Sequence, residues 1–397
     1  MYERLETSNQ DAGSYDPLAS VQAAGPPGVI SFVIGLPDPA TFPAENLREM
    51  AHEVLTQRPS LALQYGPEQG YGPLIDYVRQ KLKRDEGLTV GREQVMTTAG
   101  CSPAIDLMCT LFTQPGDVVL VEAPTYHGTL GLFRDHGLRP VQVTTDAYGL
   151  VVEALEQCLR DLAAAGSRPR LLYTIPNFQN PTGITMAAER RQAVAKLAAE
   201  YDALILEDDV YRDLAYEGET PPALYALDGC GHVVRIGSFS KILAPGLRLG
   251  WAIAPPALIQ RVVHSGLLDM GGGANPFVAN VVAAYCAHGL LEPHIARVRE
   301  VYRERRDIML DALARYMPAE AAWRKTAGGF FIWLTLPPGL RTRQAVEQAA
   351  RHGVAVLAGD PCFAERATGQ HLRLAFSYVP LEKIEQGIKV LGNVLRA

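Results

Sequence analysis

Five runs of this chain are apolar almost without interruption: residues 95–98, 118–121, 171–175, 203–206 and 233–236. A strand with one wet face alternates apolar and polar side chains. A strand covered on both faces does not, and burial on both faces belongs to parallel sheets flanked by helices. Helical patterns lie between most of these runs, at residues 151–165 and 187–201 for example. The chain therefore reads as α/β, with a mostly parallel central sheet.

At about 100–200 residues per domain, 397 residues imply two or three domains. A short N-terminal arm precedes Gly25-Pro26-Pro27-Gly28 and a strand expected at 29–32. Helices are expected behind Pro43 and from Gly72-Pro73. After a long helical pattern at 290–316 the elements thin out. Strands are expected at 330–336, 354–357 and 372–376, with helices at 342–352 and from Leu381. The expected partition is 1–45 as the arm and part of a small domain, 46–287 as a large domain, and 288–397 as the rest of a smaller α+β domain.

The net charge of -6 argues against a nucleic-acid or anionic-membrane surface. The six cysteines form no C-x-x-C pair and no Cys/His cluster with zinc spacing, so neither a metal site nor a disulfide framework is expected. Residues 1–14 are polar and acidic, without the basic start and apolar core of a signal peptide. No apolar run reaches about twenty residues. The cytoplasm is the expected compartment.

In an open parallel sheet, ligands bind beyond the carboxyl ends of the strands, so those ends are read together. The 233–236 run leads to Ser238-Phe239-Ser240-Lys241 and then Arg248. A lysine at the edge of an apolar sheet is partly desolvated, which lowers its pKa and suits it to Schiff-base chemistry; the plainer reading is a solvated surface lysine. The 203–206 run leads to Glu207-Asp208-Asp209-Val210-Tyr211. Acids in that position either cap helices or pair with a buried cation. The 171–175 run leads to Pro176-Asn177-Phe178-Gln179-Asn180-Pro181-Thr182-Gly183, a turn in the plain reading, in which Asn180 is biased to an extended conformation that can point its amide into a cleft.

Thr97-Thr98 leads to Ala99-Gly100-Cys101-Ser102 and a helical pattern. Small residues at a helix N-terminus present backbone N–H groups to an anion; capping by Ser102 is the alternative. The 118–121 run leads to Tyr126, which either stacks on a planar ring or packs in the core. A phosphate cradle, a stacking ring, an amide, an acid, a phenol and a lysine together fit pyridoxal 5′-phosphate, abbreviated PLP.

From about Val29 to the C-terminus the sequence resembles the fold-type I PLP-dependent aminotransferases of class I/II, in particular the aminoadipate and kynurenine branch. The landmarks are Asn180-Pro181-Thr182-Gly183, Asp208-x-x-Tyr211, Ser238-x-Ser240-Lys241, Arg248 and Leu372-Arg373-Leu374, in the family's order. The resemblance implies a large domain with a mostly parallel sheet and a smaller α+β domain. It implies that Lys241 holds PLP as a Schiff base and moves the substrate α-proton, that Asp208 pairs with the pyridine nitrogen, and that Tyr126 stacks on the ring; these three are the expected catalytic residues. Asn180 and Tyr211 would bond the phenolic oxygen. Gly100, Cys101, Ser102, Ser238, Ser240 and Arg248 would hold the phosphate. Tyr65 would reach the cofactor of the other protomer in a homodimer with shared active sites. Arg373 would clamp the substrate carboxylate, assisted by Asn180 and Gly35. The implied reaction is ping-pong transfer of an amino group from an L-amino acid to a 2-oxo acid.

Three departures matter. Relatives often carry Gly-Ser-Gln-Gln where this chain has Gly100-Cys101-Ser102-Pro103, and a thiol at a helix N-terminus can have a lowered pKa, although packing is the plainer role. Relatives that prefer dicarboxylic substrates place an arginine in the N-terminal segment, whereas residues 14–28 hold no Arg or Lys, so an apolar, aromatic or neutral substrate side chain is expected. Gly271-Gly272-Gly273-Ala274-Asn275-Pro276 replaces a segment common in the branch and has no assigned chemistry.

Competing readings are another PLP reaction on the same scaffold (decarboxylation, oxygen-dependent oxidative deamination, or carbon–carbon bond formation), a Ser-x-x-Lys acyl hydrolase through Ser238 and Lys241, and a PLP-binding regulator. The hydrolase lacks its Ser-Asp-Asn partner motif, and the regulator lacks a basic N-terminal domain.

Overall fold

The computed structural model describes residues 28–365 and 367–396. Ser14 to Pro27, on which the substrate expectation rests, lies outside them. The central sheet has eight strands: β2 (Val95–Thr98), β3 (Val118–Ala123), β4 (Arg139–Asp146), β5 (Gly149–Leu150), β6 (Pro169–Thr174), β7 (Leu204–Asp208), β8 (Val233–Ser238) and β9 (Gly250–Ile253). Their order is β2-β9-β8-β7-β6-β3-β4-β5. The pairs β4/β3, β3/β6, β6/β7 and β7/β8 are parallel. Strand β9 runs antiparallel between β8 and β2. The five apolar runs of the sequence fall in or directly beside strands of this sheet, and all their residues but Leu204 are buried.

Of the strands that escaped the sequence reading, β4 and β9 did so for different reasons. Strand β4 alternates and carries Pro140, because it lies near the edge beside the β4/β5 hairpin, where one face is partly wet. Strand β9 is short and opens on Gly250, which weakens its strand pattern.

A second sheet is formed by β10 (Ala322–Trp323), β11 (Phe331–Thr335), β13 (Leu357–Ala358) and β14 (His371–Ala375), in the order β10-β11-β14-β13. A third, two-stranded sheet pairs β1 (Ile30–Ser31) with β12 (Val354–Ala355) in parallel. The single strand expected at 354–357 is thus two short strands in different sheets. Helix Leu291–Tyr316 packs along helix Leu381–Arg396 beside these sheets. Helix Pro276–Ala287, which the sequence reading missed, is apolar on all sides and buried between helices Ala44–Gln57 and Gly72–Glu86. The segment after β1, residues 33–41, crosses between the two larger sheets.

Candidate active site

The carboxyl ends of β6, β7 and β8 bring their polar residues to one place, bounded on the far side by β14 and residues 33–36. The three acids after Leu206 divide the possible roles. Glu207 accepts from the backbone N–H of Leu224 and Tyr225, at 2.8 and 2.9 Å, as a cap does. Asp209 pairs with the buried Arg235 at 2.8 Å. Asp208 does neither. It is 6% exposed, accepts at Oδ2 from the Tyr173 hydroxyl at 2.7 Å, and leaves Oδ1 buried without a partner. Burial pushes its pKa up to about 6, against the Tyr173 hydrogen bond and the Lys241 charge, which hold it down.

Lys241 is not a solvated surface lysine. Its Nζ donates to the Gly35 carbonyl at 3.4 Å and lies 5.8 Å from the centre of the Phe330 ring. Burial lowers its pKa to about 8, with Arg373 and Arg248 adding to the effect and Asp208 opposing it. Arg373, on β14, donates from Nη1 to Asn180 Oδ1 at 3.0 Å and from Nη2 to the Val33 carbonyl at 2.6 Å. Its guanidinium carbon lies 4.4 Å from the Phe331 ring centre, and its Nε is buried without a partner. Phe331 also leaves no room for a side chain at Gly35, where a Cβ would come within 2.5 Å of the ring. Tyr211 is buried edge-on to Phe330 and Phe331, and its hydroxyl pKa is raised, mostly by burial. Tyr126, half-buried at the start of helix His127–Asp135, feels the charges of both Arg373 and Asp208.

The helix after β2 begins at Cys101, with Gly100 as its N-cap at φ +101°, so Ser102 is not the cap. A side chain at Gly100 would meet Arg248 Nη2 at 2.9 Å, and that guanidinium also donates to the Ala99 carbonyl at 3.1 Å. The amides of Cys101 and Ser102 have no acceptor within the helix, and Pro103 contributes none. Ser238 and Ser240 are tied together, the Ser240 N–H donating to Ser238 Oγ at 3.0 Å. The Cys101 thiol does not have the lowered pKa that its helix position allowed. Burial and Asp208 push it well up, outweighing Lys241 and Arg248. Tyr65 is 78% exposed and joins none of the side-chain hydrogen bonds described above.

Several supporting residues were missed. Asn275, at φ +44°, donates its amide to the Arg248 carbonyl. Gly272 and Gly273 press against residues 66–70, so the glycine-rich segment holds both Arg248 and the turn after Tyr65 in place. Gln179 bridges Glu122, the Pro124 carbonyl and Thr182, which braces the turn that carries Asn180. Asn177 donates to Asp209, and Arg235 joins Asp209 to Glu86. One signal was available: Arg235 is a charge in the middle of an apolar strand, and such a charge has a buried partner.

The sequence matches the family described as aminotransferase class I and II over residues 29–391. The chain belongs to that family. It is 40% identical over 369 residues to aromatic-amino-acid aminotransferase 1 of Thermococcus litoralis, covering 93% of this chain and 88% of the relative. It is 36% identical over 375 residues to the 2-aminoadipate transaminase of Thermus thermophilus, covering 93% and 91%. A crystal structure of the Pyrococcus horikoshii kynurenine aminotransferase, solved with PMP, superposes with a TM-score of 0.90 at 36% identity, covering 99% and 97%. The chain is thus a PLP-dependent aminotransferase of the aminoadipate/kynurenine branch, which moves an amino group between an amino acid and a 2-oxo acid.

The acyl-hydrolase reading fails on the same ground and on geometry: Ser238 ends a strand instead of opening a helix. The residues present fit PLP. An unpartnered buried carboxylate oxygen, a depressed lysine and a glycine cradle beside Arg248 match its pyridine nitrogen, aldehyde and phosphate. Among the described residues no group of three His, Cys, Asp or Glu side chains could hold a metal ion, and no helix is long and apolar enough to cross a membrane.

Proposed function

We propose that Lys241, Asp208 and Tyr126 form the reacting centre, and that the aminotransferase favours amino acids with apolar, aromatic or neutral side chains. The observation that carries the first part is the pairing of a desolvated Lys241 with an unpartnered Asp208 Oδ1. Bound PLP supplies an aldehyde for imine exchange and a ring that withdraws electrons from the substrate α-carbon. The chain supplies the rest. Arg373 binds the substrate carboxylate, its fork already oriented by Asn180 and Val33. Lys241 Nζ, neutral in part near pH 8, takes the proton from the substrate α-carbon and would deliver it to the aldehyde-derived carbon of the cofactor. Asp208, as a carboxylate, holds a proton on the pyridine nitrogen. Asn180 and Tyr211 hydrogen-bond the phenolic oxygen, and Tyr126 covers the ring face. Gly100, Cys101, Ser102, Ser238, Ser240 and Arg248 receive the phosphate.

The substrate preference is supported by the absence of Arg and Lys from residues 14–28 and by the Thermococcus litoralis relative, named for aromatic amino acids. A panel of amino acids with a fixed 2-oxo acid acceptor tests it. Phenylalanine, tyrosine, leucine or methionine is expected to give a higher kcat/KM than glutamate as first substrate, and a preference for glutamate over its amide and apolar analogues overturns it.

The same reading makes the enzyme a cytoplasmic homodimer, with Tyr65 of each protomer reaching the other's phosphate. Leu61, Leu63, Tyr65, Leu267 and the 89% exposed Met270 support it, because they lie on two segments joined where Gly66 meets Gly272. It also divides the chain at 45/46 and 287/288, a division supported by the pairing of β1 with β12.

A further inference from the structure

Tyr173 lies on β6, opposite Leu206 of β7, so its side chain and that of Asp208 share one face of the sheet. It is fully buried, edge-on to Phe133 with ring centres 5.7 Å apart. Its hydroxyl accepts from Thr129 Oγ1 at 3.2 Å and donates to Asp208 Oδ2 at 2.7 Å. A phenol has one proton. With Thr129 as its donor, that proton is committed to Asp208. The order Thr129, Tyr173, Asp208 therefore ends on an acceptor, and Oδ2 is occupied while Oδ1 is left free.

We propose that Tyr173, steered by Thr129, is a positioning residue that keeps Asp208 ionised and turns its free oxygen toward the cofactor's pyridine nitrogen. This rests on the assignment of Asp208 made above. The Val210 backbone N–H also favours the carboxylate, but no other side chain facing Asp208 does so throughout. Asp209, next along the chain, opposes ionisation, as does the burial of the site, while the raised thiol of Cys101 and the hydroxyls of Tyr126 and Tyr211 are uncharged. Lys241 favours ionisation only while it is protonated, and that charge is lost when it binds the aldehyde. Tyr173 is the side-chain donor to Asp208 that persists through the reaction.

A hydrogen bond to the charged form favours it, so its loss raises the carboxyl pKa. PLP then meets a neutral acid at pH 6.5 and a carboxylate at pH 9. The experiment measures the binding of PLP to the apoenzyme by fluorescence across that range, for the wild type, Tyr173→Phe, Thr129→Val and Asp208→Asn, with thermal melts as a check on folding. Tyr173→Phe is expected to weaken PLP binding about tenfold at pH 6.5 and to converge on the wild type by pH 9. Thr129→Val is expected to move the same way by less. A pH-independent difference, or none, in both variants overturns the proposal. If Asp208→Asn leaves PLP binding unchanged, the assignment of Asp208 itself falls.

Discussion

Lys241 and Asp208 work against their own solvation. Burial makes the lysine a weaker base and the aspartate a weaker acid, and each partly offsets the other's cost. The lowered pKa of Lys241 has a direct consequence. About half of its amine is neutral at pH 8, whereas an ordinary lysine with a pKa near 10.4 has well under about 1% neutral. Reductive capture of pyridoxal by the apoenzyme should therefore label Lys241 first, with a rate that rises through pH 8 and levels off above pH 9. A rate still climbing at pH 10 would show an ordinary, solvated lysine. The sign for stability follows. Between about pH 8 and 10.5 the unfolded chain binds more protons at this position, so its contribution to apoenzyme stability improves as pH rises through that window. Lys241, Asp208 and Asn180 were legible because each is a polar residue placed where an apolar strand stops. Tyr173, Asn275 and Gln179 were not, because each looks like a core or loop residue until its partner, distant in sequence, is beside it.

Among the elements, the segment from Val33 to Asp38 is the least conspicuous in sequence and among the most used. Its carbonyls at Val33, Gly35 and Leu36 accept from Arg373, Lys241 and Ser377. Asp38 then ties it to Arg305 and, through its backbone N–H, to the Tyr302 hydroxyl at 3.1 Å. Backbone carbonyls carry no sequence signature, so the segment could be read only as a strand and a loop. The two helices Pro59–Leu63 and Gly266–Gly271 present the exposed apolar residues assigned above to a second protomer. A charge placed there should split the assembly. The wild type is expected to sediment at twice the chain mass, and the double variant Leu63→Glu with Met270→Glu at the chain mass, with weaker PLP phosphate retention because Tyr65 is removed from the other site. A monomeric wild type would contradict this reading.

At the scale of the whole molecule, the cofactor groups come from the central sheet and the carboxylate clamp from the smaller one. Asp208 ends β7, Lys241 follows β8, and Arg373 sits on β14. The site is complete only where residues 33–36 bridge the two. The mostly parallel sheet was legible because burial on both faces leaves unbroken apolar runs. The contacts between the sheets were not, since they rest on partners far apart in sequence, such as Arg373 with Asn180 and Val33. The central claim is that these two halves together transfer an amino group through Lys241. Its most direct test is a single half-reaction: the PLP-loaded enzyme mixed with L-phenylalanine under nitrogen, without a 2-oxo acid, and analysed by mass spectrometry. One 2-oxo acid per site is expected, with the amino group retained on the cofactor, no carbon dioxide released, and no product from Lys241→Ala. Carbon dioxide, a requirement for oxygen, or undiminished product from Lys241→Ala would contradict it.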